Sequence, residues 1–114
     1  MTTIEDEGQG VQVDAEGYLE RFDDWSDVIA CTLAAREGLE GECPLSNERM
    51  EILRFMRGYY LKFSSFPILR AVCKNVRQQK DCTYEHFPDP IVAWKIAGLP
   101  KPTTEVFANI NRRR

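Results

Sequence analysis

The stretch from Ser46 to Phe63 does most to limit what this chain can fold into. It contains no proline. Its apolar residues, Met50, Ile52, Leu53, Phe55, Met56, Tyr59, Tyr60 and Phe63, cover more than one side of a 3.6-residue helix. Such a helix has to be enclosed, so the pattern predicts a central helix with other elements packed around it. Ser46 can cap its start.

The flanking segments supply those elements. Asp23 or Asp24 can cap an earlier helix carrying Trp25, Val28, Ile29, Thr32 and Leu33 on one face, with Gly38 as its stop. After the break at Ser64-Ser65-Phe66-Pro67, a third helix carries Ile68, Leu69, Val72, Cys73 and Val76. A helical turn over Thr83 to Phe87 and a last helix from Ile91 to Ala97, ended by Gly98, complete the set. Near the start, Val11 and Val13 alternate with polar residues, Asp14-Ala15-Glu16-Gly17 has turn chemistry, and Tyr18-Leu19 follows, which reads as a β-hairpin. The expected fold is therefore mostly α. It is a small orthogonal helical bundle with an N-terminal β-hairpin, a helix-turn-helix-like pair and an extended C-terminal arm imposed by Pro100 and Pro102. The expected organisation is a disordered acidic tail over 1–9, a helical domain over 10–98, and an arm with a basic tail over 99–114.

Charge and cysteine usage narrow the function. The 114 residues carry a net charge of -3, which disfavours nucleic acid as the main partner. No stretch has the length of a membrane span, and Met1 to Glu7 lacks the basic and apolar regions of a secretory signal, so a cytoplasmic location is expected. Cys31, Cys43, Cys73 and Cys82 form no CxxC pair, and the single histidine, His86, has no partner at ligand spacing; neither a metal site nor a cofactor is expected. In such a compartment the four cysteines read as free thiols rather than disulfides. Cys73 and Cys31 read as core, whereas Cys43 and Cys82 lie near breaks and are the better candidates for reactive thiols.

Three motifs carry a family resemblance. They are Val13-Asp14-Ala15-Glu16-Gly17-Tyr18-Leu19 followed by Trp25; Arg54 to Phe63 continuing through Pro67-Ile68-Leu69-Arg70 to Lys74; and Lys95-Ile96-Ala97-Gly98-Leu99-Pro100-Lys101-Pro102-Thr103. In order and spacing they resemble the DsrC/TusE family of sulfur-relay proteins over about residues 10 to 106. The resemblance implies a protein partner in sulfur transfer rather than a stand-alone enzyme. It also implies an arm whose terminal cysteine carries a persulfide, with a second cysteine upstream in members tied to dissimilatory sulfite reductase. In this sequence those positions are Glu105 and Trp94. A carboxylate and an indole cannot act as the thiolate that sulfur relay needs. The expectation is a chain that keeps the docking shape without the chemistry, binding a protein of a sulfur-relay or sulfite-reductase system through Trp94, Lys95, Leu99, Lys101, Thr103 and Glu105. Trp94 has two readings, a filler beneath the arm or an anchor for the partner.

Two other readings stay open. One is a sulfur carrier with its thiol displaced to Cys82 or Cys43. The other is a helix-turn-helix nucleic-acid-binding regulator, using Arg70, Lys74, Arg77 and Lys80 with Arg112, Arg113 and Arg114 against phosphates.

Overall fold

A computed structural model describes residues 2–6, 9–39, 43 and 45–103. Two antiparallel strands, β1 (Thr2–Asp6) and β2 (Gln9–Val13), pair in register from Thr2 opposite Val13 to Asp6 opposite Gln9. The segment expected to be a disordered tail thus contributes a strand. The hairpin expected around Asp14–Gly17 exists as a second, tighter return, in which Val13 bridges Leu19 and Asp14 N donates to Tyr18 O at 2.8 Å. Asp14 builds that turn, its Oδ1 accepting from the backbone of Glu16 and of Tyr18, each at 2.9 Å.

Five helices follow: α1 (Asp27–Arg36), α2 (Asn47–Phe63), α3 (Leu69–Asn75), α4 (Cys82–His86) and α5 (Pro90–Ile96). The first starts later than the sequence suggests. Phe22–Asp24 forms a short 3-10 turn, and Ser26 caps α1 by accepting from Ile29 N at 3.2 Å. Trp25 therefore lies outside the helix, in extended backbone. Ser46 caps α2 as expected.

The α2 helix is central: it packs on α3, α4 and α5, while α1 packs on α5 and β1. Its residues Met50, Ile52, Leu53 and Met56 are buried together with Val13, Leu19, Leu33, Val72, Trp94, Ile96 and Leu99. Each large apolar side chain so enclosed contributes about 1.5–3 kcal/mol. The far end of α2 leaves the core, and Leu61, Phe63 and Ile68 are exposed. Among the described residues no helix is long and apolar enough to cross a membrane.

The cysteines correct the expectation of free thiols. Cys31 pairs with Cys43 and Cys73 with Cys82, each pair with its Cα atoms 5.7 Å apart. The spacing in sequence hides this, because each pair is brought together by helices: α1 with the segment before α2, and α3 with α4. Cys82, expected in a loop, opens α4 and is buried.

Candidate functional site

The three motifs converge on the base of the C-terminal arm. The α5 helix is fixed at its start by Asp89, whose Oδ1 accepts from Val92 N at 3.0 Å, with Pro90 in the first turn. At its end Gly98 takes a left-handed conformation (φ +75°). Gly98 N then donates to Lys95 O at 3.0 Å and Leu99 N to Trp94 O at 3.1 Å. This is the Schellman arrangement, completed by the buried apolar pair Leu99 and Trp94. It turns the chain from helix into arm.

The carbonyls exposed by that turn are met by side chains from the other two motifs. Trp25 Nε1 donates to Ile96 O at 2.8 Å. Arg57, on α2, donates to Ala97 O at 3.0 Å and to Phe22 O at 2.8 Å. Its guanidinium carbon lies 3.8 Å from the Phe22 ring centre and 4.5 Å from that of Trp25. Burial lowers the Arg57 pKa to about 10, opposed by Asp23, so the group remains a cation at neutral pH. A charged fork stacked on two rings and bound to two carbonyls fixes the arm more firmly than a neutral donor would.

The arm's first residues lie on the body. Leu99 and Pro102 are buried, and Lys101 Nζ reaches Glu16 Oε1 at 2.8 Å. Lys95 Nζ sits 3.3 Å from Glu37 Oε2 and 4.9 Å from the centre of the Tyr18 ring. Tyr18 in turn has its pKa pushed up to about 12, first by burial and then by Glu16, Asp14, Glu37 and Asp89. Thr103 is exposed at the end of the described arm, and Glu105 and Arg112 to Arg114 lie outside the described residues.

Trp94 is 1% exposed, and its ring centre is 4.5 Å from that of Phe66. Its Nε1 has no hydrogen-bond partner among the described residues. Of the two readings the structure therefore places it as the filler beneath the arm. Lys95, Lys101 and Thr103 are the arm-base residues at or near the surface.

The basic residues form a separate group. Arg70, Lys74 and Lys80, with Gln78, line a shallow open depression of about 340 Å³ on α3 and the turn after it. Arg77 is exposed in that turn but does not line the depression. Gln78 Nε2 is anchored by Glu48 O at 3.1 Å. His86, half-buried, offers its carbonyl to Arg49 Nε at 2.9 Å.

Sequence reasoning assigned the arm residues but not their receivers, Arg57, Trp25, Phe22 and Glu16. Arg57, Trp25 and Glu16 stood in the three motifs, yet helical periodicity gives no reason for an arginine to point into an aromatic pair.

Comparison with known proteins places the chain among relatives of the same fold. The family model described as "DsrC like protein" matches residues 5–106. Sulfurtransferase TusE of Salmonella choleraesuis strain SC-B67 is 39% identical over 105 residues, covering 84% of this chain and 93% of the relative. TusE of Escherichia coli K12 is 36% identical over the same coverage. Among solved structures, dissimilatory sulfite reductase I superposes with a TM-score of 0.77 at 34% identity, covering 90% of this chain and 97% of the other. The oxidized gamma-subunit of the dissimilatory sulfite reductase (DsrC) from Archaeoglobus fulgidus gives 0.76 at 29% identity, with the same coverage. A shared fold, a family model matching residues 5–106 and identity above a third across most of both chains lead to one conclusion: this chain belongs to the DsrC/TusE family of sulfur-relay proteins.

Proposed function

We propose that the chain docks onto a protein partner of a sulfur-relay or sulfite-reductase system without carrying sulfur on its arm. One observation carries this reading. The arm base is built in full, while the position before Lys95 holds Trp94, whose indole fills the core. An indole there can neither hold nor resolve a persulfide, and the Glu105 carboxylate cannot accept one. The chain would then hold a partner in place, or compete with a sulfur-bearing relative for it. Lys101 and Thr103 would lie at the contact, with Glu105 beyond them.

A transfer assay tests this. The protein and Escherichia coli TusE are each incubated with a persulfidated sulfurtransferase, and the peptide spanning residues 94–114 is weighed. TusE should gain one sulfur atom, and this arm none. In Glu105→Cys the new thiolate should attack the terminal sulfur of the donor persulfide, expelling the donor thiolate, so that the arm gains one sulfur. If the arm of Glu105→Cys stays unloaded, the arm is not presented as a relay arm and the docking reading fails with it.

The displaced-thiol reading is weakened at Cys82, which is buried and paired with Cys73. The nucleic-acid reading keeps one supporting observation, the depression lined by Arg70, Lys74 and Lys80. A shift of labelled duplex that weakens steeply with salt would favour it over docking to protein.

A further inference from the structure

The two disulfides differ in access. Cys73 and Cys82 are both fully buried in the core, where Thr83, itself 1% exposed, lies beside both sulfurs at 3.9 Å. Cys43 is exposed, and Cys31 is half-buried on α1. Thiol–disulfide exchange is an in-line displacement, so a nucleophile must approach one sulfur from the side opposite the other. Cys43 meets solvent, so an external thiolate can reach this pair at the surface. At Cys73 and Cys82 the approach is through packed side chains, and exchange there has to wait for the core to open.

We propose that the Cys31–Cys43 disulfide is a thiol-exchange site, entered at Cys43 by an external thiolate, whereas Cys73–Cys82 is a structural link. The external sulfur bonds to Cys43 Sγ, the Cys43–Cys31 bond breaks, and its electron pair leaves on Cys31 Sγ as a thiolate. A second external thiolate then attacks the external sulfur of the mixed disulfide and leaves Cys43 as a thiolate. Overall, two external thiols are oxidised to a disulfide, and the protein disulfide is reduced to two cysteines. The exchange releases the disulfide that holds Cys43, in the segment leading into α2, against α1. It uses no residue of the arm, so it holds or fails independently of the docking reading.

The test uses the full chain, oxidised and native. It is exposed separately to reduced glutathione, a small thiol, and to reduced thioredoxin, a protein dithiol. Samples are quenched with acid, alkylated and mapped by mass. With at least one of the two thiols, Cys31–Cys43 should open about 100-fold or more faster than Cys73–Cys82, because the buried pair needs an opening of the core. Where glutathione opens the pair, it should be trapped on Cys43. Cys43→Ser should accept no glutathione at residue 43 while keeping a native circular-dichroism spectrum. Equal opening of both pairs, earlier opening of Cys73–Cys82, glutathione trapped on Cys31, or no Cys31–Cys43 bond in the native oxidised protein would each overturn the proposal. Opening by thioredoxin alone would identify the reactant as a protein thiol, and opening by glutathione as a small one. The mapping on the unmodified chain decides the matter even where a cysteine variant fails to fold.

Discussion

At the level of single residues, the arm base depends on a glycine, an arginine and a tyrosine. A Cβ on Gly98 would stand 2.7 Å from Trp25 Cδ1, 2.9 Å from Arg57 Nη1 and 3.0 Å from Leu19 Cδ2, on top of the cost of φ +75°. Gly38 has a similar φ of +78° but open space around it. The two alanine variants therefore separate backbone strain from crowding. In urea unfolding, Gly38→Ala should lose about 1 kcal/mol, from the left-handed backbone alone. Gly98→Ala should lose about 2–4 kcal/mol, because Trp25 and Arg57 must also give way. Equal losses would mean that the ring and guanidinium do not press on the turn. Tyr18 supplies a pH signature. Its ordinary value of 10.0 is raised to about 12. Between those values the unfolded chain has released a proton that the folded chain still holds. Stability is thus unaffected by this group below pH 10 and falls as pH rises from 10 towards 12. An absorbance titration should show a tyrosinate step near pH 12 that disappears in Tyr18→Phe. Complete ionisation by pH 11 would count against a buried hydroxyl at this site.

At the level of elements, the helix ends show how much could be read from the sequence. Gly38 and Gly98 announced two stops, and Ser46 announced a start. A further Schellman turn, after α3, places Arg77 at φ +60°, with Gln78 N bonded to Cys73 O at 2.9 Å. No residue type advertised it, because arginine rarely takes that conformation and tertiary packing overrides the local preference. The start of α1 was misread for a related reason. Asp23 and Asp24 are good caps in isolation, but Trp25 is pulled out of the helix by its bond to Ile96, a partner distant in sequence. Local signals succeed where the neighbours that decide a conformation lie within one turn, and fail where they lie on another element. Asp89 belongs to the first kind. It was not singled out from the sequence, although Asp before Pro is a standard helix entry. Asp89→Ala should cost about 1 kcal/mol in thermal or urea unfolding. Asp89→Ser should recover most of it. A failure of serine to rescue would show that Asp89 acts through its charge and not as a cap.

At the level of the whole molecule, the family and the helical plan were legible because motif order survives in the sequence, whereas the cysteine pairing was not, because it exists only after the helices pack. Cys73 read as core from its spacing with Leu69, Val72 and Val76, and it is core; nothing in that spacing pointed to Cys82, which arrives on α4. This pairing matters for stability. A domain of this size is held by about 5–15 kcal/mol in total. Closing a loop of this length restricts the unfolded chain by about 2.5–3 kcal/mol, so the buried pair would supply a substantial share of that margin. The link also joins α3, which packs on α2, to α4, which packs on α5. The arm base is carried by α2 and α5, so its rigidity should depend partly on a covalent bond elsewhere in the core. Calorimetry of Cys73→Ala/Cys82→Ala against the oxidised parent should show a midpoint lower by about 10 °C. The Trp25 environment, followed by indole fluorescence in a Trp94→Phe background, should loosen below that midpoint in the double variant and stay fixed in the parent. A shift of only a degree or two would mean that packing alone holds α3 to α4 and that the disulfide adds little to it. A full shift with unchanged fluorescence before unfolding would mean that Arg57 and Gly98 hold the arm without help from the core link.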